Sequence, residues 1–231
     1  MAPRLVLTDI EGTTTAIAFV HRTLFPFIAQ ALEEFIALHQ GVAEVAAVLD
    51  DVRAAAPGQP PLDTLRGWMA VDAKVTPLKA LQGIMWRQGY ADGRLRGHLW
   101  PDVAPALRAW HAAGTRLAVY SSGSEEAQRL LFGFSEAGDL APLFEGFFDT
   151  RMGTKREVAS YAAIASALAL PPGDILFLSD VAEELDAAAA AGMACCQLVR
   201  PEDGTQPSPR HRQARDFAAV ARDFAMQPPA G

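Results

Sequence analysis

Three short apolar runs, each closed by an acid or a hydroxyl, constrain this chain more than any other feature of its sequence. Arg4-Leu5-Val6-Leu7-Thr8 ends at Asp9, Leu117-Ala118-Val119-Tyr120 ends at Ser121, and Ile175-Leu176-Phe177-Leu178 ends at Ser179-Asp180. Four or five residues that are apolar on both faces suit a strand buried on both sides, and such strands belong to parallel sheets. Ala194–Val199, after Gly192, is a fourth candidate, and Phe147-Phe148-Asp149 a fifth. Helical patterns separate them. Pro101–Ala113 is closed by Gly114, and Ser124–Phe132 opens on a capping serine with Glu125 and Glu126 in its first turn. Arg156–Leu168 and Glu183–Ala191 follow, the second closed by Gly192. This alternation predicts an α/β fold: a Rossmann-like parallel sheet with helices on both faces.

The stretch from Phe19 to Leu95 breaks the rhythm. It carries helical patterns at Leu24–Leu38, Val42–Ala55 and Leu78–Tyr90, no convincing strand, and Pro57, Pro60 and Pro61 as punctuation. It predicts a small all-helical domain, 18–96, inserted after the first strand, with 1–17 and 97–231 forming the α/β core. Trp68, Met69, Met85 and Trp86 within it read as packing before substrate wall. The tail beyond Arg200 reads as a loop rich in proline and charge. An apolar-periodic stretch, Phe217–Phe224, and a loose end, Gln227–Gly231, follow. The 231 residues fit one large domain, or one domain plus an insertion, at roughly 100–200 residues per domain. Twenty basic against 27 acidic residues, a net charge of -7, argue against a nucleic-acid or anionic-membrane partner. No apolar stretch reaches the roughly 20 residues that a membrane helix needs, so the expectation is a soluble cytoplasmic protein. Cys195 and Cys196 are adjacent and read as strand filling, not a disulfide. His21, His39, His98, His111 and His211 show no metal-ligand spacing.

In an open parallel sheet, ligands bind beyond the carboxyl ends of the strands. The residues there are Asp9, Glu11, Gly12, Thr13 and Thr14; Ser121, Ser122, Gly123 and Ser124; and Asp180, Glu183 and Glu184. Lys155, placed at the start of a helix after Gly153-Thr154, joins them. Carboxylates gathered at one edge repel one another and call for a counter-charge. Oxygen donors without His or Cys suit a hard cation such as Mg2+, which shares itself readily with a phosphate oxygen. Serine hydroxyls, backbone N–H groups and an ammonium can then hold the remaining phosphate oxygens. Asp9 is the candidate nucleophile, forming an aspartyl-phosphate. Glu11 is the candidate acid for the leaving oxygen and base for water. Ser124 reads as a helix cap and Glu183 as a surface acid.

These residues resemble the four motifs of the haloacid dehalogenase-like hydrolases: Asp9-Ile10-Glu11-Gly12-Thr13-Thr14, Tyr120-Ser121-Ser122-Gly123-Ser124, Lys155, and Leu178-Ser179-Asp180 with Glu184. The usual first motif has a second Asp where this chain has Glu11. That departure, with Phe19-Val20, Leu24-Phe25-Pro26, Lys79-Ala80-Leu81-Gln82-Gly83 and Gly97-His98-Leu99-Trp100-Pro101-Asp102-Val103, is similar to the enolase-phosphatases of methionine salvage. The likeness runs from about Leu5 to Val199. It implies one Mg2+ per subunit held by Asp9, Glu11 and Asp180. It further implies substrate phosphate on Ser121, Ser122 and Lys155, and support from Glu184, Gly123 and Thr13. The implied substrate is 2,3-diketo-5-methylthiopentyl 1-phosphate, enolised and then dephosphorylated to the acireductone by a monomer whose insertion serves as a cap. The alternatives are another small-molecule phosphatase or a dehalogenase on the same fold, or a binding module without catalysis.

Overall fold

Leu5–Thr8 is buried along its whole length because it has a parallel neighbour on each side. A computed structural model describes residues 2–71, 73 and 75–229 of the chain. Among these, six strands form one sheet: β1 (Leu5–Thr8), β2 (Arg116–Tyr120), β3 (Gly146–Phe148), β4 (Ile175–Ser179), β5 (Ala194–Leu198) and β6 (Arg212–Ala214). Their order is β3-β2-β1-β4-β5-β6, and every pairing is parallel. This is the 3-2-1-4-5-6 order of the doubly wound α/β fold, which reverses direction between β1 and β4. Val6 pairs with Leu117 and Leu176, and Thr8 with Val119 and Leu178. The register sets Asp9, Ser121 and Asp180 at one edge.

Side-chain alternation splits the strands between two cores. Leu5, Leu7, Ala118, Tyr120, Ile175 and Phe177 pack with Tyr161, Ile164, Leu185 and Ala188, from the helices Val158–Ala167 and Ala182–Ala190. Near the other face lies Val103–Ala112, whose Trp110 stacks on Phe217 of the helix Phe217–Asp223 at 5.2 Å. Burying a large apolar side chain is worth about 1.5–3 kcal/mol, so these layers hold the edge residues rigidly.

Two compact units divide the chain: Met1–Ala18 with Arg96–Gly231, and Phe19–Leu95. The second has four helices among its described residues that exceed two turns: Phe25–His39, Ala43–Ala55, Pro61–Ala70 and Thr76–Ala91. They close on Ile28, Leu32, Leu49, Val52, Leu65, Leu81 and Met85, with Trp68, Met69 and Trp86 packed against that core. The Trp86 indole N–H donates to the Leu24 carbonyl at 3.2 Å.

Several elements differ from the sequence expectation. Pro60 and Pro61, read as loop punctuation, open the helix Pro61–Ala70; proline suits the first helical position, where its missing N–H has no partner to lose. The expected helix from Arg156 begins at Val158, so Lys155 lies in the preceding turn and not on a helix. β6 lies where the sequence predicts loop: of Arg212, Gln213 and Ala214 the last alone is buried, so no apolar run announces the strand. Of the expected loose end, Ala230 and Gly231 lie outside the described residues.

Candidate active site

Asp9 follows the last residue of β1, and its N–H donates to the Leu178 carbonyl of β4 at 2.8 Å. The chain then turns sharply. The Ile10 carbonyl accepts the N–H groups of Thr13, Thr14 and Thr15 at 3.2, 2.9 and 2.9 Å, and Gly12 takes φ +77°. The turn is tight against β4: a Cβ built on Gly12 would lie 2.3 Å from Asp180 Oδ2. Glu11 is half-buried in the same turn, and Thr13 is fully buried. The Thr14 hydroxyl donates towards the carbonyls of Ile10 and Asp9, at 3.2 and 3.3 Å.

At the end of β2, Ser121 is buried and Ser122 exposed. Ser121 Oγ accepts the Gly123 N–H at 3.2 Å, a short serine turn. Ser124 caps the helix Glu125–Gly133 by accepting the Ala127 N–H, in line with its sequence reading. The Gln128 side chain ties this loop down by donating to the Gly123 and Phe148 carbonyls, both at 2.8 Å.

Lys155 is a buried cation at this edge. Its ammonium lies 2.5 Å from Asp9 Oδ1 and 2.7 Å from Glu184 Oε2, and its side chain is 9% exposed. Burial opposes the charged ammonium, but the Asp9 and Glu184 carboxylates outweigh it and pull its pKa up. Glu184 also accepts the Ser179 hydroxyl at 2.8 Å. Its pKa is raised by burial and by the charge of Asp9, with Lys155 opposing. Burial, with Asp9 beside it, pushes the Asp180 carboxyl up to about 7.

The residues fit a hard cation. Asp180 Oδ1 is buried with no hydrogen-bond partner, and a buried polar atom left unpaired is costly unless something else satisfies it. One ammonium faces the carboxylates of Asp9, Glu184 and Asp180, so the local balance is negative. Among the described residues no three His, Cys, Asp or Glu side chains are grouped to hold an ion by themselves. Mg2+ does not require three, because it keeps several waters and takes one or two carboxylates plus substrate phosphate.

Three further side chains, given no site role by the sequence, brace the site. Gln197 sits in β5 among apolar neighbours and donates to the Asp180 carbonyl at 2.9 Å; an amide inside an otherwise apolar buried strand was its available signal. Arg200, just past β5, is buried, pairs with Asp102 at 2.9 and 3.0 Å, and donates to the Thr13 carbonyl at 3.0 Å. The rule of looking beyond each strand end would have found it. His98 Nδ1 lies 2.9 Å from Thr15 Oγ1.

Comparison with known proteins places the chain in a family. Residues 3–192 match the haloacid dehalogenase-like hydrolase family. The chain is 58% identical over 228 residues to enolase-phosphatase E1 of Acidiphilium cryptum, covering 99% of this chain and 98% of the relative. It is 56% identical over 228 residues to enolase-phosphatase E1 of Granulibacter bethesdensis, covering 98% and 99%. Among solved structures, the UTR4 protein of Saccharomyces cerevisiae superposes with a TM-score of 0.81 at 31% identity, over 93% of this chain and 98% of that one. With the Asp9–Lys155–Glu184 cluster at the strand ends of a parallel sheet, these matches establish that the chain belongs to the enolase-phosphatase E1 family of the haloacid dehalogenase-like hydrolases.

Proposed function

We propose that this chain is the magnesium-dependent enolase-phosphatase of methionine salvage, acting on 2,3-diketo-5-methylthiopentyl 1-phosphate and releasing phosphate and the acireductone. The observation that carries the reading is the buried Lys155 bridging Asp9 and Glu184 beside an Asp180 oxygen with no partner. Asp9, Asp180 and Glu11, the last by its backbone carbonyl or its side chain, would hold one Mg2+. When bound, the ion polarises a substrate oxygen and offsets phosphoryl charge.

Asp9, held by one oxygen on Lys155, presents the other to phosphorus. The phosphorus–oxygen bond to the enol breaks, its electron pair leaves on oxygen, and Glu11 supplies the proton. Glu11 as carboxylate then takes a proton from the water that attacks the Asp9 acyl phosphate. Ser121, Ser122 and Lys155 bind the phosphoryl oxygens, and Gly123 supports the turn that presents the serines, its N–H held by Ser121 Oγ. Glu184 fixes Lys155, and Thr13 shapes the turn that carries Glu11. The carboxylate of Glu11, one methylene longer than the usual Asp, gives the reach to serve proton transfer in both half-reactions.

We assign the unit Phe19–Leu95 as a cap that excludes water and confers specificity, with Met1–Ala18 and Arg96–Gly231 as the catalytic core. No described helix is long and apolar enough to cross a membrane. We further propose that the chain acts as a cytoplasmic monomer. The test is turnover of the diketo phosphate with Mg2+, following the enol chromophore and free phosphate together. Both signals should appear and both should vanish with chelator. Activity on 2-haloacids that survives chelation would instead support a dehalogenase.

A further inference from the structure

The lysine-bearing segment between Met152 and Val158 has left one helical turn and not yet entered the next. Three successive carbonyls in it are each held by a buried hydroxyl. Tyr120 Oη donates to the Gly153 carbonyl at 3.0 Å, Ser160 Oγ to that of Thr154 at 2.8 Å, and Tyr161 Oη to that of Lys155 at 2.7 Å. We propose that Tyr120, Ser160 and Tyr161 are positioning residues that set the Lys155 ammonium for phosphate and for Asp9. The inference rests on the role assigned to Lys155 above.

The three hydroxyls are themselves fixed. Tyr120 is the last residue of β2, and its ring stands edge-on to Tyr161 at 5.5 Å. Tyr161 in turn stands edge-on to Phe177 of β4 at 5.1 Å. Ser160 and Tyr161 lie in the first turn of Val158–Ala167, and all three side chains are at most 1% exposed. Burial raises both phenol pKa values, so the phenols remain donors at any working pH. The segment is also shaped to meet them. Gly153 takes φ +114° and ψ -173°, and a Cβ there would lie 2.3 Å from Ser160 Oγ. The Lys155 ammonium lies 5.9 Å from the centre of the Tyr120 ring, so one residue steadies the backbone and faces the charge.

The test uses the full chain with Mg2+ and the diketo phosphate, in Tyr161→Phe, Tyr120→Phe and Ser160→Ala. Each removes one hydroxyl and leaves Lys155 in place. Every variant should lower kcat and raise the inhibition constant of inorganic phosphate, each by about 3- to 10-fold, the size of one hydrogen bond. The double variant Tyr120→Phe/Tyr161→Phe should lose more than either alone. A merely structural role would lower the melting temperature and leave phosphate inhibition and kcat unchanged well below it; that result overturns the inference. Lys155→Met separates the two readings. If it keeps wild-type turnover and phosphate inhibition, the role of Lys155 itself fails; if it is inactive while the hydroxyl variants behave as wild type, the positioning inference alone fails.

Discussion

Asp180 should make the metal-free protein less stable as pH rises through neutrality, and Mg2+ should remove that penalty. Its carboxyl group ordinarily titrates near 3.8 and is pushed up to about 7 in the folded chain by burial and by Asp9. Between those values the folded protein keeps a proton that the unfolded chain has lost. Stability from this group is therefore full below about 4 and lost as pH rises through about 7. The interval corresponds to about 4 kcal/mol; because Asp180 is half-buried, solvent screening trims it to roughly 2–3 kcal/mol. For a chain of this length that is roughly 4–12 °C in melting temperature. Thermal unfolding in EDTA at pH 5 and pH 8 measures it, in wild type and Asp180→Asn. Glu184 is shifted the same way, so the variant should flatten the pH slope without abolishing it, and should outlast wild type at pH 8. Mg2+ at about 100 times its Kd should restore about 2.7 kcal/mol to wild type and little to the variant. An Asp180→Asn protein with the wild-type slope, or a wild type indifferent to Mg2+ at pH 8, would refute the reasoning.

Three other substitutions probe the cluster. Lys155→Met should abolish phosphate release and, by leaving the Asp9 and Glu184 carboxylates buried without their partner, cost about 3–5 kcal/mol. Denaturant unfolding reads the second effect separately from the first. Gly12→Ala forces a side chain into φ +77° and against Asp180; activity should fall at least about 100-fold if the turn shifts by an ångström, as steady-state kinetics will show. Glu11→Asp should slow enol formation and phosphate release unequally, seen by following the two signals in one reaction; equal full rates would remove the argument from its length.

The sheet was legible because β1, β2 and β4 are buried on both faces and so carry uninterrupted apolar runs. Their ends named Asp9, Ser121 and Asp180 directly. β6 was not, because an edge strand with two exposed residues needs no apolar run. The helix Pro61–Ala70 was hidden because proline both breaks helices and starts them. At the candidate site, sequence singled out acids, serines and a lysine but not what holds them in place. Lys155 was picked out by motif spacing, yet its place in a turn depends on donors from β2 and from the helix after it. Gln197 and Arg200 act through backbone carbonyls of other segments, and such contacts leave no periodic trace. Ser122 is exposed while Ser121 is buried, a difference that adjacent identical residues cannot announce.

Chemical trapping tests the central claim most directly. Enzyme with Mg2+ and the diketo phosphate, quenched during turnover and reduced with borohydride, converts an aspartyl-phosphate to homoserine, which peptide mass spectrometry locates. Homoserine at position 9, absent without substrate and absent from Asp9→Asn, is the predicted result. Reduction at another carboxylate, or an Asp9→Asn enzyme that releases phosphate as fast as wild type, contradicts it.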